Sequence, residues 1–196
     1  AAGLVTHGFG SPSGAFDERR ARKALLLFNK CSKLPAGVLL VRDTDNQAER
    51  AESLERARRV RRWKFEVILA TPDPKRESWV LAGFDPQNAD EQAALDEARS
   101  TLGFDPRLQA ERLTARGARG KRNAKKVLAK LINTSEREHA CWRDTDLGVL
   151  RERGEGSRLT AYLTELTERL VPVVAGQAST DRPRAAGSSS RTDGRE

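Results

Sequence analysis

The sequence predicts an α/β fold in which an open parallel sheet of few strands is followed by a helical subdomain. Val38 to Val41 is a continuous aliphatic run, which is typical of a strand that is buried on both faces, and a second aliphatic strand is predicted from Phe65 to Ala70. Between them, the stretch from Gln47 to Arg62 contains no glycine or proline and is rich in Ala, Glu and Arg, which favours a helix. Strand, helix and strand in this order are typical of a βαβ unit with a right-handed crossover and parallel strands.

Helices are predicted on both sides of this unit. The first runs from Phe16 to about Lys33, with Pro35-Ala36-Gly37 ending it. After Ala70 no further strand is predicted, and the pattern indicates four helices: Arg76 to Ala82, Ala89 to Leu102, Lys121 to Ile132 and Ser157 to Leu170. We therefore divide the chain into an α/β core over residues 1–104, a basic helical subdomain over 105–174 and a tail over 175–196. The tail is predicted to be disordered because it has almost nothing to bury.

The composition favours a protein of the cytoplasm. No window approaches the roughly 18 apolar residues of a membrane span, and no charged stretch followed by an apolar run indicates a signal peptide. The two cysteines, Cys31 and Cys141, are far apart and favour free thiols over a disulfide. We expect no contact with a membrane.

The positive charge of the chain is concentrated in one segment. The net charge is +8, and the segment from Arg107 to Lys130 contains nine basic residues and one acid, Glu111. Such a surface is typical of a protein that binds a phosphate backbone, although a solvated helix face explains it too. The residues expected to contact nucleic acid are Arg107, Arg119, Lys121, Arg122, Lys125 and Lys126.

Acidic residues follow both predicted strands. Asp43 and Asp45 come directly after the first strand and, on an extended chain, project to the same side. Glu77 lies in the first turn of the helix after the second strand, from which it could turn towards them. Two carboxylates held together invite a hard cation, so we expect Mg²⁺ or Mn²⁺ on Asp43, Asp45 and Glu77. The alternative is that Asp45 caps the next helix, Asp43 merely ends a strand and Glu77 only interacts with a helix dipole.

These motifs carry a family resemblance that covers roughly Gly37 to Leu170. In order they are V-L-L-V-R-D-T-D, F-E-V-I-L-A-T-P-D-P-K-R-E-S-W-V-L-A-G, N-A-K-K-V-L and C-W-R-D-T-D-L-G-V-L. Together they resemble the small Toprim-like proteins of the DUF4276 family, which occur in bacteria and often beside ATPases in phage-defence gene clusters. The resemblance implies a Toprim fold and metal-dependent chemistry on nucleic-acid phosphodiesters.

By position, Asp43 and Asp45 match the aspartate pair of the Toprim pattern, and Glu77 matches the glutamate before its tryptophan. The pattern also has a glutamate after a first strand, and nothing before Asp17 offers one, because His7-Gly8-Phe9-Gly10 is loop-like. Either the first strand was lost with the N-terminus, or another chain provides it, or the site is degenerate. Lys125 or Lys126 is expected to stabilise charge on the phosphate, although phosphate binding or plain solvation explains a lysine pair equally well. Our catalytic candidates are Asp43, Asp45, Glu77 and Lys126.

Two functions follow from this sequence. The first is a metal-dependent nuclease subunit of an anti-phage defence system, acting on DNA in preference to RNA with an ATPase partner that the resemblance implies. The second is a non-catalytic nucleic-acid-binding or assembly subunit of an ATPase-containing defence complex. The intact Asp43, Asp45 and Glu77 favour the first, and the missing first glutamate favours the second. A homo-oligomer is left open.

Overall fold

The computed structural model describes residues 13–115, 117 and 119–176. The stretch His7-Gly8-Phe9-Gly10, Arg116 and most of the predicted tail lie outside the described residues. Within them, the order of elements is α1 (Ser13–Phe28), β1 (Gly37–Val41), α2 (Ala48–Arg59), β2 (Glu66–Ala70), α3 (Arg76–Ala82), α4 (Ala89–Leu102), α5 (Ala124–Leu131), α6 (Ser135–Arg143), α7 (Leu147–Arg153), α8 (Leu159–Glu165), a π-helical turn (Leu166–Leu170) and α9 (Val171–Val174). A 3₁₀ turn, Ala110–Arg112, lies between α4 and α5.

The α/β class is confirmed, and the described sheet is small. β1 and β2 pair in parallel, with Val38 opposite Val67 and Leu40 opposite Leu69. One face of this pair carries α1 and α2, which enclose a cluster of buried apolar side chains: Ala21, Leu25, Val38, Leu40, Leu54, Ala57, Trp63, Phe65 and Val67. Amphipathic helices bury their apolar stripe in this way, so the βαβ unit is held from one side by both helices.

The other face of the sheet is covered unequally. β2 is enclosed there, because Ala70 packs with Trp79, Leu150 and Leu159. β1 is not, since Leu39 is 42% exposed and Val41 is 66% exposed. The prediction that the first strand is buried on both faces is therefore wrong. A continuous aliphatic run records only that a strand is apolar, and it cannot tell which neighbours are present to cover it.

The helical half is built around the largest apolar cluster. Its members lie in or next to α3, α4, the 3₁₀ turn, α5 and α6, and include Val80, Phe84, Leu95, Leu102, Leu113, Val127 and Cys141. The cluster spans the boundary that we drew between residues 104 and 105. Because α3 follows β2 directly, this packing fixes the start of α3 against the end of the sheet. None of the described helices combines the length and apolar character needed to cross a bilayer.

Candidate functional site

The candidate site lies at the carboxyl edge of the sheet, where the chain segments after β1 and β2 run side by side. The parallel pairing continues past the strands through hydrogen bonds from the Thr44 N–H to the Pro72 carbonyl and from the Asp45 N–H to the Pro74 carbonyl, both 2.9 Å. Thr44 is buried and donates its hydroxyl to the Asp73 carboxylate. The residues after the two strands are thus held together by backbone and side-chain bonds.

Asp43 has a partner at the start of α3. Its Oδ1 accepts a hydrogen bond of 3.1 Å from the backbone N–H of Arg76, the first residue of that helix. The first N–H groups of a helix have no partner within it, and Lys75 at the N-cap position makes no side-chain cap. Asp43 therefore acts as a cap from a different element.

Asp45 stands where the chain leaves the extended conformation. Its φ is 50° and that of Asn46 is 60°, which are left-handed values that Asp and Asn tolerate better than most residues. The prediction assumed that the chain stays extended through Asp45, and the backbone is not extended at that residue. The Asp45 carboxylate forms an ion pair with Arg50 in α2 and lies 3.6 Å from the Lys75 Nζ.

Glu77 is the least compensated carboxylate of the edge. The residue is 8% exposed, and its Oε2 is buried without a hydrogen-bond partner among the described residues. Its Oε1 lies 4.0 Å from the Lys125 Nζ at the start of α5. A buried carboxylate without full hydrogen bonding is costly, so Glu77 is the side chain here with most to gain from a ligand.

The structure does not bring the three predicted metal ligands together as one group. Asp43 and Asp45 have protein partners, and the part of the chain that the structure describes contains no group of three or more His, Cys, Asp or Glu side chains placed to hold a metal ion. At the carboxyl edge, the carboxylate of Asp45 instead lies against Arg50 and Lys75, and that of Glu77 lies near Lys125.

A segment that we call the basic hairpin, with described residues 114, 115, 117 and 119–123, lies beside this edge. Thr114 and Asn123 form an antiparallel bridge, and the Ala115 N–H donates to the Arg122 carbonyl at 3.1 Å. Asn123 accepts from the Lys126 N–H at 3.1 Å and so caps α5. The hairpin is tied to the carboxyl edge because the Asn46 Nδ2 donates to the Thr114 carbonyl at 3.2 Å.

Five of the six predicted nucleic-acid residues divide into two groups, and the sixth, Lys125, lies near Glu77. Arg119, Lys121, Arg122 and Lys126 are exposed and make no ion pair within the described residues. Arg107 differs, because its side chain is 14% exposed and binds Asp85 at 2.7 Å and Asp105 at 3.0 Å. Its contacts give it a structural role in holding the loop after α4.

The two lysines at the start of α5 point to different places. Lys125 is the one near Glu77, whereas Lys126 lines a small cavity between α4 and α5 with Lys121 and Lys130. Successive helical residues differ by about 100° in direction, so only one of the pair can face the edge. The structure thus brings Lys125, and not Lys126, to the predicted carboxylates.

Sequence reasoning missed several residues that shape this edge. They are Thr44, Asn46, Arg50, Asp73 and Lys75. Asp45 and Arg50 do not have the i to i+4 spacing by which ion pairs on a helix are predicted from sequence. Asn46 bonds to a residue 68 positions away, which no local pattern indicates. Asp45-Asn46 was the one available signal, because both residue types favour turns with positive φ.

No model of a known protein family, no curated protein and no solved structure matches the chain in the comparisons that we made.

Proposed function

We propose that this protein binds nucleic acid through the basic hairpin and α5, and that the bound phosphate backbone lies next to the carboxyl edge. The observation that carries the proposal is the cluster of Arg119, Lys121, Arg122 and Lys126, four exposed cations within eight residues, none of them in an ion pair with a described residue. Elsewhere many arginines are paired with acids, for example Arg58 with Glu165 at 2.7 Å. Unpaired, closely spaced cations are the feature that a polyanion requires.

The place of this cluster in the fold supports the proposal. The basic hairpin and α5 together form a basic region that contacts the carboxyl edge at two places. Asn46 of the edge contacts Thr114, and Glu77 of the edge lies near Lys125. Ligands of parallel α/β sheets bind outside the carboxyl ends of the strands. A phosphate chain that follows the hairpin would therefore pass the position at which such sheets bind their ligands.

The proposal is tested by comparing a variant that loses three of these charges with a control variant that loses three charges elsewhere. The variant Lys121→Gln, Arg122→Gln, Lys126→Gln removes three charges from the basic region. The control Lys30→Gln, Lys33→Gln, Lys64→Gln removes three charges from exposed lysines elsewhere. In fluorescence anisotropy with labelled DNA and RNA oligonucleotides, we expect the first variant to bind at least about tenfold more weakly and the control to change less than about threefold. Equal losses in both would show that only net charge matters.

Metal-dependent cleavage of phosphodiesters is the second candidate. It is favoured by Glu77, whose buried Oε2 has no hydrogen-bond partner among the described residues, and by the Toprim-like order of Asp43, Asp45 and Glu77. It requires the aspartates to exchange their present partners, so we rank it below binding. A plasmid-nicking time course with Mn²⁺ on the parent, Asp45→Asn and Glu77→Gln decides it, with binding followed in parallel. Normal binding without nicking by the parent would remove this candidate and leave the first.

A further inference from the structure

Among the described residues, no strand pairs with the outer edge of β1, which we call the open edge. The Glu66 N–H donates to the Ala36 carbonyl and the Arg42 N–H to the Ala70 carbonyl, so the register turns the backbone groups of Val38 and Leu40 towards β2. The N–H and C=O groups of Leu39 and Val41 consequently point away from β2, and no hydrogen bond from a described residue reaches them. An unpaired row of this kind is a template for another strand.

The corresponding edge of β2 is closed by side chains. The Leu69 N–H donates to the Glu165 Oε2 at 3.0 Å, and the Val67 carbonyl accepts from the Arg58 Nη1 at 3.5 Å. Arg58 and Glu165 also pair with each other. Since covering an edge is a common way to stop strand pairing, the contrast singles out β1 as the edge that no described residue covers.

Apolar side chains border the open edge from both faces of the sheet. On one face these are Leu39, 42% exposed, and Val41, 66% exposed. On the other they are Phe16, 44% exposed, and Leu27, 62% exposed. Glu18 of α1 contacts Arg56 of α2 and so marks the side of α1 that faces α2. Phe16 and Leu27 lie on the opposite side of α1, which is the side of the open edge.

The space beside β1 fits a single strand better than a second copy of β1. Packed helices lie about 8–10 Å apart, whereas neighbouring strands lie about 4.8 Å apart. Because α1 and α2 pack side by side on one face, α1 extends beyond β1 and over the position of the next strand. A second β1 would bring its own α1 into that same space.

The direction of α1 indicates where the strand comes from. Asp17 near its start binds Arg42 after β1 at 3.4 Å, and Phe28 at its end contacts Phe65 before β2, with ring centroids 6.5 Å apart. The helix therefore begins at the carboxyl edge, as a helix does after a parallel strand. α1 and α2 lie on the same face, so right-handed crossovers place a strand before α1 on the side of β1 away from β2.

We propose that the stretch of this chain before α1, residues 1–12, docks on the open edge of β1 as a parallel third strand. The aliphatic residues of that stretch, Leu4 and Val5, precede α1 by enough chain to reach its start. The strand covers Leu39 and Val41 at their sides and lies beneath Phe16 and Leu27. This inference is independent of the nucleic-acid proposal, because it concerns only the edge of the sheet.

Hydrogen exchange of single amides tests it. In the full chain the N–H groups of Leu39 and Val41 should exchange at least about tenfold more slowly than in a chain that begins at Ser13. The amides of Val38 and Leu40, which bond to β2, serve as the internal control and should remain protected in both. If the shortened chain does not fold, the full chain with Val5→Pro replaces it, with Ser188→Pro as its control, because proline is excluded from the interior of a sheet.

Two results would overturn the inference. Fast exchange of Leu39 and Val41 in the full chain would show that the edge stays open. If these amides stay protected without residues 1–12, or with Val5→Pro, and the protection becomes stronger as the protein concentration rises, the edge is assigned to a second copy instead.

Discussion

At the scale of single residues, the acids of the carboxyl edge differ in what holds them. Asp43 is bound to a helix N–H, Asp45 to two cations, and Glu77 has a buried oxygen without a hydrogen bond among the described residues. All three stand where the order of strands and helices predicts, after β1 and at the start of α3. Their partners could not be predicted, because tertiary packing decides which residues contact these acids. Asp43 and Arg76, for example, are 33 residues apart.

The capping role of Asp43 predicts a loss of stability that does not involve a metal. Asp43→Ala removes the acceptor of the Arg76 N–H and should lower the free energy of unfolding by about 1 kcal/mol. Asp43→Asn keeps an acceptor and should lose less. The measurement is urea denaturation in the presence of EDTA, and equal stability of all three proteins would contradict the capping role.

Asp105 predicts a pH dependence of stability. Burial tends to raise the pKa of its carboxyl, but hydrogen bonds from the Arg107 side chain and backbone and from Arg99 outweigh burial and lower the pKa to about 2. Because the folded pKa lies below the ordinary value of 3.8, the ionised group stabilises the fold above that value, and the contribution is lost as the pH falls towards 2.

Asp105→Asn is the corresponding variant. It should lower the free energy of unfolding by about 1–2 kcal/mol at pH 7, and the difference from the parent should shrink as the pH falls from 4 to 2. Denaturation curves at a series of pH values measure it. A difference that stays constant over this range would mean that the carboxyl is not ionised in a network with Arg99 and Arg107.

At the scale of elements, the strongly periodic segments were predictable and the short polar ones were not. The bounds of α3 and α4 agree with the predicted Arg76 to Ala82 and Ala89 to Leu102. α6 and α7 were missed, because each is short and buries few of its own side chains, Ala140 and Cys141 in one and Leu150 in the other. Their caps, Thr134 and Asp146, were the available signals, but a cap alone does not specify a helix.

The packing of α6 against α3 predicts a strong effect at Gly83. A Cβ at this position would overlap the backbone carbonyl of Cys141, which cannot move aside as a side chain can. Gly83→Ala should therefore lower the free energy of unfolding by about 2–3 kcal/mol. Gly117→Ala is the control, since nothing lies within 4 Å of its Cβ position. Thermal denaturation showing equal small changes for both would contradict close contact between α3 and α6.

At the scale of the whole molecule, the α/β half supplies the acids of the carboxyl edge and the helical half supplies basic residues beside them. The sequence alone located both, because charge clusters and strand ends are local patterns. It did not show that Asn46 and Thr114 join the two, nor that Arg107 is bound by Asp85 and Asp105. Both facts depend on how the helices after β2 fold back on the sheet.

The salt dependence of nucleic-acid binding tests the central claim most directly. If Lys121, Arg122 and Lys126 contact phosphates, each releases about one counterion, so the slope of log K against log salt should become shallower by about 2–3 when all three are changed to Gln. The Lys30→Gln, Lys33→Gln, Lys64→Gln control should keep the slope of the parent. A slope that is the same in all three proteins, or that falls equally in the control, would contradict binding through the basic hairpin and α5.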